Sequence, residues 1–516
     1  MEKRIAIIDI GSNTIRLVIY RYNDKNIFKE IENIKVPARL QNYLNHEQRI
    51  TSEGLNILID SLRVFKEIVS LHKVETMKIV ATAAIREAKN RDEIKQLVSE
   101  KIGLSVEILS GEREAYYGFQ GVINATNIQN GITIDIGGGS TEITKFLHRK
   151  IVRYHSFSFG VISLHRQFIK DKIPTNEELS NLSSFLNSEF MKIDWLKNCK
   201  LPIIGIGGSA RNLGRIDQGM KDYPMESIHL YEMNLKDILT VKEKLASLSF
   251  EELQNVAGLS KERADIILLA IEVFQLLYRI VNAPFFQLSQ KGIRDGILYD
   301  EIKEHSGSKD KFQHPIEKTF HQLALEYDVD LEKREMITKT AMMLFDAIRK
   351  TGIAELNEND LQDLRYASYI YNIGEYIEKS SASQHTFYIL SNRNMDGLAH
   401  RDRIKIALLA SYSSKTAYKH NVEPFKEWFT KQERQTLMVL GSIIKFAFHL
   451  NSSKRAIVQD VRFLIDKGKN NIRLELYCNK SWQVEKLEVE KQIKHLEHAL
   501  GKNIILDFNL IENTLF

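Results

Sequence analysis

The run Ile5-Ala6-Ile7-Ile8-Asp9-Ile10-Gly11-Ser12-Asn13-Thr14 has a second copy in Ile132-Thr133-Ile134-Asp135-Ile136-Gly137-Gly138-Gly139-Ser140. The copies share Asp-Ile-Gly-x-x-[Ser/Thr] and lie about 125 residues apart, which marks a duplicated unit rather than a solenoid. Each is a short apolar run, expected as a buried strand, that ends in a carboxylate and a glycine-rich hairpin turn. One such turn alone is an ordinary β-hairpin. Two in the same register, each after a buried strand, point to a paired phosphate- or nucleotide-binding device. Small residues let backbone N–H groups approach phosphoryl oxygens, and a cluster of those groups makes an anion-binding concavity.

The segments around the copies alternate in period. Residues 14–22 form a second strand, and residues 52–72 carry Leu55, Leu58, Ile59, Leu62, Phe65, Ile68 and Val69 at helical spacing. Strands are expected at 77–82 and 104–109, a helix near 90–101, and a third glycine-rich strand end at 203–208 (IIGIGG). After His305-Ser306-Gly307-Ser308-Lys309-Asp310, a natural linker, the period is almost purely helical to about residue 450. Strands VRFLID and IRLELY then flank the turn Lys467-Gly468-Lys469-Asn470, followed by a helix at 484–500 and a strand at 503–510.

Composition narrows the class. The 516 residues suggest roughly three or four domains, and only 7 Pro exclude a long proline-rich or disordered tail. With 72 Lys+Arg against 67 Asp+Glu the net charge is +5, which admits an anionic ligand without demanding nucleic acid. Cys199 and Cys478 are too few for a disulfide framework and too far apart for a metal knuckle. No apolar run reaches the ~18 residues of a membrane span, and the first is too short for a signal peptide. The expectation is a soluble cytoplasmic protein with no membrane or nucleic-acid partner.

Several side chains near these turns can do chemistry. Asp9 and Asp135 would face each other across a cleft and hold a divalent cation, Mg²⁺ with waters retained or Mn²⁺. Ser110 is a candidate N-cap for a helix opening Gly111-Glu112-Arg113-Glu114, where acidic residues also suit the macrodipole. A carboxylate at that helix start, close to metal and phosphate, could orient and deprotonate a water. Glu142, two residues beyond Ser140, is another candidate. Arg16, Arg39 and Arg86 offer guanidinium forks for phosphate, and Arg86 follows a strand end that should point into the ligand crevice.

These stretches resemble the exopolyphosphatase and guanosine pentaphosphate phosphohydrolase family, in the superfamily of actin, sugar kinases and the 70-kDa heat-shock chaperones. AIIDIGSNTIRLVIY, VATAAIREA, VEILSGEREAYYGF, TIDIGGGSTEI, IIGIGGSARNL, GLSKERADIILLA and LSQKGIRDGILYD carry the resemblance, in order, across residues 5–300. It implies an α/β fold of two actin-like, ribonuclease-H-type domains at 1–125 and 126–305. An all-α HD-like domain at 306–453 and a small α+β domain at 454–516 would follow. It implies Glu114 as the base, aided by Glu142 and Arg86, and a metal site of Asp9, Asp135 and Glu142. Phosphate would lie on Gly11, Ser12, Asn13, Gly137, Gly138, Gly139 and Ser140, on Arg16 and Arg39, and on Gly207, Gly208 and Ser209.

The helical part departs from the HD pattern. Tyr371-Asn372-Ile373-Gly374 stands where long relatives tend to carry a His-Asp or His-Glu pair, and His385 alone cannot build a metal site. That domain is therefore expected to bind substrate or build a homodimer, not to house a second centre. The implied activity is release of orthophosphate from the ends of inorganic polyphosphate by metal-assisted water attack, with K⁺ as an accessory ion. Three rivals stand beside it: hydrolysis of the 5′ γ-phosphate of guanosine pentaphosphate, an ATP-using small-molecule kinase, and a non-enzymatic nucleotide switch.

Overall fold

The computed structural model describes residues 2–23, 28–306, 314–465 and 471–511. They divide into two compact units, Met1–Pro315 and Ile316–Phe516.

The first unit holds two mixed sheets. One contains β1 (Lys3–Ile10), β2 (Ile15–Tyr22), β3 (Phe28–Val36), β4 (Thr76–Ala81) and β5 (Glu107–Ile108), in the order β3-β2-β1-β4-β5. The other contains β6 (Gly131–Ile136), β7 (Thr141–Leu147), β8 (Lys150–Phe157), β9 (Ile203–Ile206), β10 (Glu232–Met233) and β11 (Phe286–Leu288), in the order β10-β11-β9-β6-β7-β8. In each, the strand carrying the aspartate pairs antiparallel with its successor and parallel with a strand reached by a crossover. The order β3-β2-β1-β4 thus matches β8-β7-β6-β9. The duplication visible in two short motifs extends to the sheets.

Burial explains the sequence pattern. Ile5, Ala6, Ile7 and Ile8 are all buried, so β1 is covered on both faces and shows a continuous apolar run, not an alternation. The edge strands β3 and β8 carry mixed charge and half-exposed positions, which is why the sequence did not announce them. The strand expected at 104–109 shortens to two residues.

The helix Gly111–Ile123 lies between the two sheets. Its Tyr117 joins a core with Ile5, Ile7, Ile297 and Leu298, while Phe119, Val122 and Ile123 join Phe146, Ile204 and Ile206 of the second sheet. The helix Ile293–Ser306 packs on it through glycine. A Cβ on Gly121 would meet the Gly292 carbonyl oxygen at 2.3 Å, and one on Gly296 the Tyr117 oxygen at 2.0 Å. Such contact leaves no room for a side chain, and it fixes where the N-terminus of Gly111–Ile123 points.

The second unit is helical from Pro315–Glu326 through Lys431–Leu450 and ends in a three-stranded sheet. There β12 (Val458–Ile465) runs antiparallel to β13 (Asn471–Cys478), which runs parallel to β14 (Asn503–Leu510). The helix expected at 484–500 breaks at Lys491-Gln492 into Gln483–Glu490 and Ile493–Leu500. Tyr371 and Gly374 serve packing: the Tyr371 hydroxyl donates to the Tyr412 carbonyl at 2.7 Å, and the Gly374 N–H to Thr386 Oγ1 at 2.9 Å. The turn expected at Lys467–Asn470 lies outside the described residues, as does the expected linker from Gly307 on; His305 and Ser306 are still helical. Among the described residues no helix is long and apolar enough to cross a membrane.

Candidate active site

Both Asp-Gly turns are built by one device. Gly11 N–H donates to the Thr14 oxygen at 3.0 Å, and Gly137 N–H to the Ser140 oxygen at 2.9 Å. Four further carbonyls of the two turns accept from residues outside them. Ser12 and Asn13 oxygens accept from Gln41 and Arg39 N–H at 3.2 and 2.9 Å. Gly137 oxygen accepts from Val161 N–H at 2.9 Å, and Gly138 oxygen from Ile162 and Ser163 N–H at 3.0 and 3.1 Å. In a planar trans peptide the N–H opposes the C=O. Fixing these oxygens therefore turns the N–H groups of Asn13, Thr14 and Gly138, residues of the cleft wall described below, the other way, an arrangement that suits an anion.

A cleft of about 580 Å³ opens against both turns. Asp9 and Asp135 line it from the ends of β1 and β6, with Gly11, Ser12, Asn13, Gly137, Gly138 and Ser140 beside them. The start of helix Gly207–Met220 adds Gly207, Gly208 and Ser209. Seven lysine and arginine side chains line the cleft against four carboxylates, so its wall carries an excess of positive charge. Gly207 is required twice: its φ is +87°, and a Cβ would lie 2.6 Å from Asp135 Oδ1. Gly207→Ala should lower kcat/KM by about tenfold or more through a displaced Asp135, a cost in the range of 1–2 kcal/mol or above. Gly219→Ala in the same helix, with no atom within 4 Å, is the matched control for steady-state kinetics.

Glu114 sits one turn into Gly111–Ile123, whose Ser110 N-cap accepts from the Arg113 N–H at 3.2 Å. Its side chain lines the cleft yet is almost wholly buried. Arg86 Nη1 donates to Glu114 Oε2 at 2.6 Å and to the Leu109 carbonyl at 3.2 Å. Burial pushes the Glu114 carboxyl up to about 7, with Arg86 pulling it down and Asp135 and Asp9 adding to the rise. Burial likewise raises Asp135 to about 6, against the pull of Arg211. Asp9 Oδ2 accepts from Arg294 Nη1 at 2.8 Å. Burial lowers Arg211 to about 10, with Arg294, Arg16 and Arg263 crowding it further.

Not every expected residue reaches the cleft. Glu142 lies behind it, 3.9 Å from Arg86 Nη2, and its Oε1 accepts from Ser156 Oγ at 2.9 Å. Burial, then the Glu114 carboxylate, hold it well above the usual carboxylate range. Arg86 is a partner of Glu114 and not itself part of the cleft wall. Gly139 is also off the wall, and a Cβ there would meet Gln41 Oε1 at 2.9 Å. Arg39 faces a neighbouring cavity and pairs with Asp265 at 3.2 Å. Arg16 lines the cleft and donates to Asn33 Oδ1 at 2.7 Å. Its place follows from register: Arg16 is paired with Asp9, as Glu142 is with Asp135, so one slot of the repeat carries opposite charges.

Sequence reasoning passed over Lys35, Arg211, Arg215, Arg263 and Lys291, which complete the cationic wall, and gave Arg294 no role. The signal for Arg211 was present, since it follows the third glycine-rich strand end as Arg86 follows β4. As to metal, among the described residues no three His, Cys, Asp or Glu side chains are arranged to hold an ion. Asp9, Asp135 and Glu142 are therefore not a closed ligand set. All-oxygen donors still suit a hard divalent cation bound through one or two carboxylates plus substrate phosphates.

Residues 18–305 match the model of the Ppx/GppA phosphatase family, and residues 316–496 match Ppx/GppA phosphatase, domain III. The Aquifex aeolicus Ppx/GppA family member is 28% identical, with 60% of this chain and 100% of that one covered at a TM-score of 0.53. An exopolyphosphatase from Cytophaga hutchinsonii shares the fold at 23% identity and a TM-score of 0.54, covering 58% of this chain and 98% of its own.

Proposed function

We propose that this chain, which belongs to the Ppx/GppA phosphatase family, is an exopolyphosphatase that cleaves the terminal phosphoanhydride of inorganic polyphosphate. The carrying observation is Glu114, a carboxyl raised to about 7 and placed on the wall of a cationic cleft beside two phosphate turns. The terminal phosphoryl group rests on the turn N–H groups, and Arg16, Arg211 and Arg294 offset its charge. Glu114, held by Arg86, takes the proton of a water attacking in line, and orthophosphate leaves the shortened chain. When bound, Mg²⁺ or Mn²⁺ would be held by Asp9 and Asp135 and would supply neutralisation of phosphoryl oxygens. No covalent nucleophile is needed, because positioning and charge stabilisation carry most of the rate.

The test is parallel phosphate release from polyphosphate, guanosine pentaphosphate and ATP. Polyphosphate should be the fastest substrate. Faster turnover of guanosine pentaphosphate would reassign the substrate within the family, and ATP turnover with a phosphorylated acceptor would make it a kinase.

Every cleft residue precedes residue 295, so the 1–315 fragment should keep turnover of short chains. A linear polyanion gains affinity with each charge contact. The fragment's kcat/KM should therefore fall behind that of the full chain increasingly as substrates lengthen. Equal length dependence of the two would remove the second unit from substrate binding.

A further inference from the structure

The two turn aspartates are not equivalent. Among the described residues only Asp9 carries an ion pair, its Oδ2 accepting from Arg294 Nη1 at 2.8 Å. Arg211, the arginine whose charge acts most on Asp135, donates its Nε to the Gly207 carbonyl at 2.9 Å instead. Arg294 is fixed from behind. It opens the helix Ile293–Ser306, which is seated on the Glu114 helix through Gly121, Gly292 and Gly296. Its neighbour Asp295 is engaged elsewhere, with Oδ2 on the Gly292 N–H at 3.0 Å and Oδ1 at 3.2 Å from Lys291 Nζ.

The bond to Asp9 uses one N–H of the guanidinium, and Asp9 is the only hydrogen-bond partner of Arg294 among the described residues. A single contact is weaker than the bidentate pairing of which the fork is capable, and it leaves donors to spare. Both side chains line the cleft and keep accessible surface, 21% for Arg294 and 15% for Asp9, so a ligand in the cleft reaches each of them.

Arg294 and a divalent cation therefore need the same carboxylate. A cation on Asp9 Oδ1 would still face the guanidinium held on Oδ2, and two positive charges that close repel strongly at the edge of a protein interior. Phosphoryl oxygens in the cleft offer the fork another acceptor. We propose that Arg294 is an exchangeable counter-ion, which competes with the divalent cation for Asp9 and passes to the phosphoryl oxygens of the bound chain. By linkage, phosphate then raises the affinity for the cation and the cation that for phosphate, so the two load together. A donor that merely orients Asp9 for a metal would act with the opposite sign, because its loss weakens the metal. The inference rests on Asp9 and Asp135 as the cation's ligands in the exopolyphosphatase reading.

The experiment counts bound Mn²⁺ by electron paramagnetic resonance on the full-length protein without substrate, at the site that Asp135→Asn removes. Arg294→Gln should bind Mn²⁺ about tenfold or more tighter than wild type, and Arg294→Lys, which keeps the charge, within about threefold of wild type. Arg16→Gln is the control for a field effect, since its guanidinium also acts on Asp9 but bonds to Asn33. It should change Mn²⁺ affinity by no more than about threefold. Orthophosphate, corrected for its own complex with Mn²⁺, should tighten Mn²⁺ binding about fivefold or more in wild type and less than half as much in Arg294→Gln. Weaker or unchanged Mn²⁺ binding in Arg294→Gln would overturn the proposal, as would a gain equalled by Arg16→Gln. Should Arg294→Gln not fold, the wild-type arm decides alone, and absence of tightening by phosphate overturns the proposal. If Asp135→Asn removes no Mn²⁺ site, the ligand assignment falls and the proposal with it. The exopolyphosphatase reading itself is decided separately, by the phosphate-release comparison above.

Discussion

Glu114→Gln should lower kcat for polyphosphate by about 10²–10⁴ while leaving polyphosphate affinity within about threefold. The substitution keeps size and the capacity to accept from Arg86 but removes the basic oxygen. Rapid-quench turnover and equilibrium binding on one preparation separate the two effects. The structure narrows the alternatives for the base. Glu112 is exposed on the outer side of the same helix, and Glu142 is buried behind Arg86 with its Oε1 on Ser156. Neither belongs to the cleft wall, whereas Glu114 does. A variant retaining most of its kcat would therefore leave a side chain outside the cleft, or a substrate phosphate, to take the proton.

The fold was legible where chemistry and burial act locally. Two strands ending in Asp-Ile-Gly carried enough information to expect two matching domains, because both an apolar run covered on two faces and a turn needing small residues leave sharp marks. Edge strands leave weaker ones, as β3 and β8 show. The break at Lys491-Gln492 was invisible because neither residue is a helix breaker by composition. The site followed the same rule. Asp9 and Asp135 stood out because each closes a buried strand just before a glycine turn, while the resemblance singled out Glu114 over Glu112 at the helix start. Arg39 was misplaced by one cavity, since its pairing with Asp265 joins residues 226 apart in sequence. Arg263 reaches the cleft only through tertiary packing, which no spacing in one chain reveals, whereas Arg211 follows a glycine-rich strand end that could have pointed to it.

Arg86 should set the pH at which the enzyme works. Burial raises Glu114 to about 7, and Arg86 is the largest influence opposing that rise. A base acts when deprotonated, so wild-type kcat/KM should fall as pH drops through about 7. Removing a guanidinium neighbour raises a carboxyl by about 1–3 pH units, so in Arg86→Gln the acid limb should move to about pH 8 or above. At pH 7 the loss would be about five- to five-hundred-fold, and it should shrink as pH rises. That pH-dependent recovery separates Arg86 from a phosphate-binding arginine, whose loss would weaken binding equally at every pH. A constant loss from pH 6 to 9 would mean that Arg86 touches substrate. Arg86→Lys sharpens the comparison. It keeps a charge but not the fork that reaches both Glu114 and the Leu109 carbonyl. Its acid limb should stay near that of wild type, while the plateau falls because the carboxylate is no longer held in line with the attacking water.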